Sequence, residues 1–289
     1  MCDEFTAGQE DAALSGLGLN RRQFAAAGIA ASVAACADAG VGDGQGVVES
    51  MVLIPTVDGT CDAWFVHPRR GRFPAVIMWP DIAGLRDAYK TMGKRLAQAG
   101  YAVLVVNHYY RTARAPLLAS MAEWRTPEGQ AKLQPAIAAI NPAGTTRDAT
   151  SFVAWLDKQG AVDTRKGIGT CGYCMGGPYA LRTAAAAPGR VRAAASLHGA
   201  NLVTPGQDSP HLSIPRSKAS FLLAIARNDD ARSPADKSIL VDTAKVAHRP
   251  AEVEVYHADH GWCTIDAPVY DKTEAERAWA RMLVLFKGL

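Results

Sequence analysis

Gly169-Thr170-Cys171-Gly172-Tyr173-Cys174-Met175-Gly176-Gly177 is the stretch that decides the fold of this 289-residue chain. The run Lys166 to Thr170 before it reads as the end of a short buried strand, and Pro178 to Ala187 after it as an Ala-rich helix. Cys174 stands between them with a glycine two positions away on each side. That arrangement is the pattern of a nucleophile elbow, a sharp strand-to-helix turn that holds a reactive side chain in an exposed, strained position. Gly172 and Gly176 leave the room the turn needs where strand and helix meet. The free N–H groups of the following helix favour a thiolate and an oxyanion beside it. Serine usually occupies this position; here it is a cysteine.

The same residues also spell Cys171-x-x-Cys174, a spacing shared with redox pairs and half-sites for zinc. Zinc would need a second pair of that kind, and the sequence offers none, so no metal is expected. A thioredoxin-like pair belongs early in a small domain, whereas this one lies deep in a long chain. A bond between Cys171 and Cys174 would also abolish the nucleophile.

Downstream residues supply what an elbow enzyme requires, an acid and then a histidine. Phe221 to Ala226 is a compact apolar strand followed by the polar loop Arg227-Asn228-Asp229-Asp230. Val253 to Tyr256 is a further strand that runs into His257-Ala258-Asp259-His260-Gly261-Trp262. Cys, Asp and His thus each follow a strand, at the sheet edge where open α/β folds place their sites. Upstream, Val47 to Val66 forms two strands joined by the turn Asp58-Gly59, a hairpin signal. Pro74 to Trp79 and Tyr101 to Asn107 are near-continuous apolar runs of the kind buried on both faces of a parallel sheet. Helices are expected over Arg86 to Gln98, Asp148 to Lys158 and Thr273 to Phe286, and a strand over Val191 to Leu197. Thr112 to Pro142 divides into helical pieces and loops lying over the site, and the Pro/Ser-rich loop Thr204 to Ser217 borders its rim. The expected fold is α/β, a mostly parallel doubly wound sheet with an N-terminal antiparallel hairpin.

Four segments together resemble the dienelactone hydrolase family: Ala75-Val76-Ile77-Met78-Trp79-Pro80-Asp81-Ile82-Ala83-Gly84, Gly100-Tyr101-Ala102-Val103-Leu104, Gly172 to Gly177, and His260-Gly261-Trp262. The resemblance runs from about Val47 onward. It implies an α/β-hydrolase fold, Cys174 as nucleophile, His260 as general base, and an aspartate from the 229–230 pair holding the imidazole. Asp229 is the first choice when counted from the strand, and Asp230 fits when counted back from Pro234. His257 is the rival base but precedes the glycine turn, while His108 and His198 also follow strands. The implied oxyanion hole comprises the backbone amides of Ile82 and Met175. Asp81 occupies the position of a family glutamate that lies close to the cysteine, one methylene shorter. Arg111 matches a family arginine that binds a substrate carboxylate, with a surface arginine as the alternative. A second family arginine, four residues past the histidine, is replaced by Thr264. Trp262 and Trp79 offer an apolar wall to the site, or simply core.

The chemistry expected is hydrolysis of a carboxylic ester or lactone through a thioester, with no cofactor. Two alternatives belong to other classes: a thiol–disulfide oxidoreductase using Cys171 and Cys174, and an inactive hydrolase-like binding protein.

The N-terminal segment carries a separate signal. Arg21-Arg22 precedes Ala25 to Ala35, an uncharged run of small residues about 11 long, too short to span a bilayer permanently. This is the pattern of a twin-arginine export signal, with Ala37-Asp38-Ala39 as a cleavage site, and it predicts a periplasmic or cell-surface protein. Val33-Ala34-Ala35-Cys36 resembles a lipobox, which would anchor Cys36 to a membrane by lipid. Residues 1–39 are therefore expected to be leader and 40–289 one domain. The remaining chain of about 245 residues is ample for one large core. With 48% apolar and 20% charged residues and a net charge of +3, nothing points to disorder or to a nucleic-acid partner.

Overall fold

Eight strands pair into one sheet, seen in the computed structural model, which describes residues 46–289. The twin-arginine segment, the cleavage site and Cys36 lie outside the described residues. β1 (Val47–Thr56) and β2 (Gly59–Pro68) form the antiparallel hairpin. β3 (Ala75–Trp79), β4 (Ala102–Val106), β5 (Ile168–Tyr173), β6 (Val191–Leu197), β7 (Ser220–Ala226) and β8 (Ala251–Tyr256) follow. Their spatial order is β1-β2-β4-β3-β5-β6-β7-β8, antiparallel from β1 to β4 and parallel from there on.

Both faces of the sheet are covered, which is why β3 and β4 are apolar at every position. Along β3, Ile77 and Trp79 face one core while Val76 and Met78 face the other. The first core is closed by α4 (Pro142–Leu156), α5 (Gly176–Ala186) and α7 (Asp236–Val246). The second is closed by α1 (Asp87–Gln98) and α8 (Lys272–Phe286). Between them in sequence, α2 (Met121–Trp124) and α3 (Pro127–Ala138) contribute Met121, Leu133 and Ala136 to a small third cluster with Ile82 and Tyr109. The expectation of helical pieces and loops within Thr112 to Pro142 therefore describes the observed structure.

Three elements differ from the sequence-based expectation, one of them the unexpected helix α7. α4 begins at Pro142 rather than Asp148, because Asn141 caps it, accepting from Gly144 N at 2.8 Å, and Pro142 occupies the first helical position. Proline is favoured there: its fixed φ suits the helix and its missing N–H would have had no partner. Arg227 to Asp230 is not loop but part of a short helix, α6 (Arg227–Arg232).

Strand order reverses between β3 and β5, since β4 continues to one side and β6 to β8 to the other. The loops leaving those two strands must diverge, opening a crevice at their carboxyl ends. Ile82 lies on the first loop and Cys174 on the second.

Candidate active site

Cys174 takes the only left-handed conformation in the β5–α5 turn, with φ of 52°. A side chain in that region costs on the order of 1–3 kcal/mol and persists only where surrounding contacts fix it. Here the fixing contacts are explicit. The Cys174 N–H points to Leu197 O at 3.1 Å and to His198 Nδ1 at 3.1 Å. Its carbonyl accepts from Gly177 N at 3.0 Å and Ala200 N at 3.1 Å. The two glycines are required by proximity: a Cβ on Gly172 would stand 2.0 Å from Gly176 O, and one on Gly176 would stand 2.3 Å from Trp79 O. Only glycine allows strand, turn and helix to approach this closely.

β7 and β8 bring the other candidates to the same edge. His260 Nδ1 lies 2.6 Å from Asp229 Oδ2, and the His260 N–H donates to Asn228 Oδ1 at 2.9 Å. The α6 turn aims Asp229 at the ring and its neighbour away: Asp230 pairs with Lys237 at 2.9 Å. Of the two aspartates, Asp229 is the one in contact with His260. His257 is exposed and takes no part.

His198 proves closer to the centre than its sequence position alone conveys. Fully buried, with φ of 41°, it stacks edge-on to both His260 and Trp262 at 5.1 Å between ring centres. Burial, reinforced by the nearby His260, holds it well below the ordinary histidine range, so it stays neutral. Its Nδ1 accepts from Cys174, so the ring proton resides on Nε2. His108 is likewise buried, and burial pushes it down to about 3.

Tyr109 bridges Ile82 and Met175, through the Ile82 carbonyl and the Met175 sulfur. Its hydroxyl donates to Ile82 O at 2.7 Å and lies 3.4 Å from Met175 Sδ. A single buried phenol therefore ties the β3 loop to the elbow.

Asp81 is engaged by Arg86 and by the backbone of its own loop. Arg86 donates to both its oxygens, at 2.7 and 3.0 Å, and Ala83 N donates to Oδ1 at 3.0 Å. The same guanidinium grips Asp266 with two further bonds, at 2.7 and 2.8 Å. Asp266 belongs to the segment after His260, so Arg86 clasps the Ile82 loop to the histidine loop. Burial alone would lower the arginine's affinity for its proton, but the two carboxylates outweigh it and raise it well above the ordinary range. Thr264, where the family pattern has arginine, is buried 3.3 Å from the Tyr89 hydroxyl, which also accepts from Asp81 N. The arginine beside Asp81 thus comes from the next helix start rather than from the histidine loop. Replacing Arg86 with Met should strand a buried carboxylate, costing about 3–5 kcal/mol and lowering Tm by about 10 °C. The pair Asp81→Leu with Arg86→Met should recover part of that loss. Thermal unfolding of the two variants tests this.

Two expected site residues sit elsewhere. Arg111 is held by Asp148 through two bonds of 2.8 Å and by Asp58 at 2.6 Å, so its charge is already met. Trp262 is fully buried, stacked on Tyr256 at 5.2 Å between centres, and supports His198 rather than walling the pocket. Trp79 is also core, donating to Thr183 Oγ1 at 3.1 Å. Cys171 is a free buried thiol packed with Val76, Met78 and Tyr173, and burial pushes it far above the usual thiol range. Such a thiol is a poor redox partner, because exchange needs an accessible thiolate.

Comparison with known proteins agrees with this architecture. The family model described as "Dienelactone hydrolase family" matches residues 61–289. The chain belongs to this family. Within it, a Methylorubrum extorquens protein named "Putative carboxymethylenebutenolidase" is 24% identical, over 85% of this chain and 82% of its own length. A Bradyrhizobium protein named "Probable 2-oxo-3-(5-oxofuran-2-ylidene)propanoate lactonase" is 27% identical, over 75% of this chain and 84% of its own. Among solved structures, a Klebsiella pneumoniae protein described as a "Putative Dienelactone Hydrolase" superposes with TM-score 0.72 at 22% identity, covering 84% of this chain and all of its own. A dienelactone hydrolase-like promiscuous phosphotriesterase from metagenomic libraries gives TM-score 0.66 at 22% identity, over 83% and 98% of the two chains. At these identities the structural likeness speaks to fold.

Proposed function

We propose that this member of the dienelactone hydrolase family hydrolyses carboxylic esters or lactones through Cys174, His260 and Asp229. The observation that carries the reading is the 2.6 Å contact between His260 Nδ1 and Asp229 Oδ2, on the same sheet edge as the elbow cysteine. That contact fixes the imidazole tautomer and leaves Nε2 as the basic nitrogen.

His260 Nε2 takes the Cys174 thiol proton as sulfur attacks the carbonyl carbon, forming a C–S bond. The carbonyl electron pair moves to oxygen, where the Ile82 and Met175 amides stabilise it. Each such donor is worth about 2.7–4 kcal/mol in acyl transfer. The C–O bond then breaks, the imidazolium returns its proton to the departing alkoxide or enolate, and a thioester remains. Water, deprotonated by the same nitrogen, attacks that thioester, and the acid leaves with the thiol restored. In this reading Asp81 acts by holding its loop, and Arg86 and Tyr109 are positioning residues.

The test is hydrolysis of a short p-nitrophenyl ester and of a dienelactone by the reduced protein. Turnover that requires Cys174 supports the reading. Binding without turnover of either compound, with His260 replaceable at no cost, overturns it.

We further propose that residues 1–39 direct export to the periplasm or cell surface, on the strength of Arg21-Arg22 and the uncharged segment after them. Among the described residues no helix is long and apolar enough to cross a membrane. Replacing Arg21 and Arg22 together with lysine should leave the protein in the cytoplasmic fraction. Unchanged fractionation would reject the twin-arginine route.

A further inference from the structure

A cavity of about 260 Å³ begins at Met175, the residue after the nucleophile, and runs along α5. Tyr179, Arg182, Asn201, Thr204 and Asp208 line it. Met175, Pro178, Tyr179 and Arg182 follow the spacing that places residues on one helix face. Arg182 therefore borders the same cavity as Met175, about two helical turns or 10 Å further along the axis.

Arg182 differs from the other arginines of the site region in what it contacts. Arg86 and Arg111 are each held by two carboxylates. The hydrogen bond of Arg182 goes to a neutral acceptor, the Asp208 carbonyl, at 3.1 Å. Among the described residues no carboxylate forms an ion pair with it. Burial lowers its affinity for its proton, with Tyr179 and Asp208 opposing that shift. A half-buried guanidinium with donors to spare, facing a cavity, is suited to an oxyanion that can accept two parallel bonds. The acyl half of a substrate stays on sulfur after the alcohol leaves. A cavity that starts at the adjoining residue is placed to hold that half.

Resting on the ester-hydrolase reading above, we propose that Arg182 binds a terminal carboxylate on the acyl chain, making half-esters of short dicarboxylic acids the preferred substrates. The recognition expected of Arg111 is thereby assigned to Arg182, which sets specificity without touching the reacting atoms.

The experiment compares mono-p-nitrophenyl glutarate with p-nitrophenyl valerate, reading the ratio of kcat/KM for the two esters. The unmodified protein should favour the anionic ester. Arg182→Gln should cut that ratio about 10- to 100-fold, mainly through KM for the anionic ester, and Arg182→Lys should keep part of it. Arg111→Gln should leave the ratio in place while lowering Tm. No preference in the unmodified protein, or an equal fall for both esters in Arg182→Gln, would overturn the assignment. Calorimetric binding of glutarate to the unmodified and Arg182→Gln proteins separates this from failure of the hydrolase reading. Binding that depends on Arg182 upholds the anion site even if no ester is turned over, and binding indifferent to it rejects the site.

Discussion

Cys174→Ala should reduce ester turnover by about 10,000-fold or more, to the level set by oxyanion stabilisation and binding alone. The reason is specific to the elbow. No other thiol or hydroxyl occupies its left-handed turn, and Cys171, three residues earlier, is packed in the core on the α1 and α8 side of the sheet. His260→Ala should match the loss closely, because nucleophile and base act as one unit and removing either disables both. Cys171→Ala should keep turnover within about threefold, with a modest stability cost of about 1 kcal/mol for the missing buried atom. The three variants separate the chemistries. A thiol–disulfide exchanger would lose activity with either cysteine and tolerate loss of the histidine. Steady-state hydrolysis of a p-nitrophenyl ester by each variant, with far-UV circular dichroism to confirm folding, checks the pattern. Full activity in Cys174→Ala would remove the thioester from the mechanism.

The second large effect belongs to the acid. Asp229→Asn should lower kcat about 1,000- to 10,000-fold, because an amide nitrogen facing Nδ1 favours the tautomer that leaves no base at Nε2. It also removes the anion that steadies the imidazolium. Asp230→Asn should cost only a few-fold, since that carboxylate faces Lys237 rather than the ring. The two residues are adjacent and chemically identical, so the contrast isolates position. KM should change little in Asp229→Asn, as the carboxylate does not meet the substrate. Equal losses in the two variants would mean that α6 as a whole, rather than one carboxylate, supports the histidine.

That contrast also marks how far the amino-acid sequence alone reaches. The parallel strands are legible because burial on both faces leaves no polar position in runs such as Ala75 to Trp79 and Ala102 to Val106. Their order, and the fall of Cys174, Asp229 and His260 after successive strands, follow from the same pattern. Short local structure is not legible in this way. α6 consists of Arg-Asn-Asp-Asp-Ala-Arg with no buried residue, so neither periodicity nor burial announces it, yet its single turn determines which aspartate meets His260. α7 buries only Leu240 and Ala244, too few apolar positions to stand out. Pro142 looks like a helix breaker when read without Asn141 before it. Charge partners separated by long stretches of chain are hardest of all. Arg111 looks available for a substrate until Asp58 and Asp148 are brought to it, and Arg86 gains its meaning only when the segment holding Asp266 folds across.

The cysteines of the core have a use beyond packing. Cys61 in β2 is buried in one core, and Cys171 in β5 and Cys263 after β8 in the other; all three are unbonded. Since none of the three is cross-linked, the described residues should reach their native packing in reducing as in oxidising surroundings. Each thiol can meet a labelling reagent only when its own neighbourhood opens. The molecule thus carries three internal clocks, one at the hairpin side, one beneath the nucleophile and one beside the histidine loop. Their separate labelling rates would tell which part of the hydrolase breathes first.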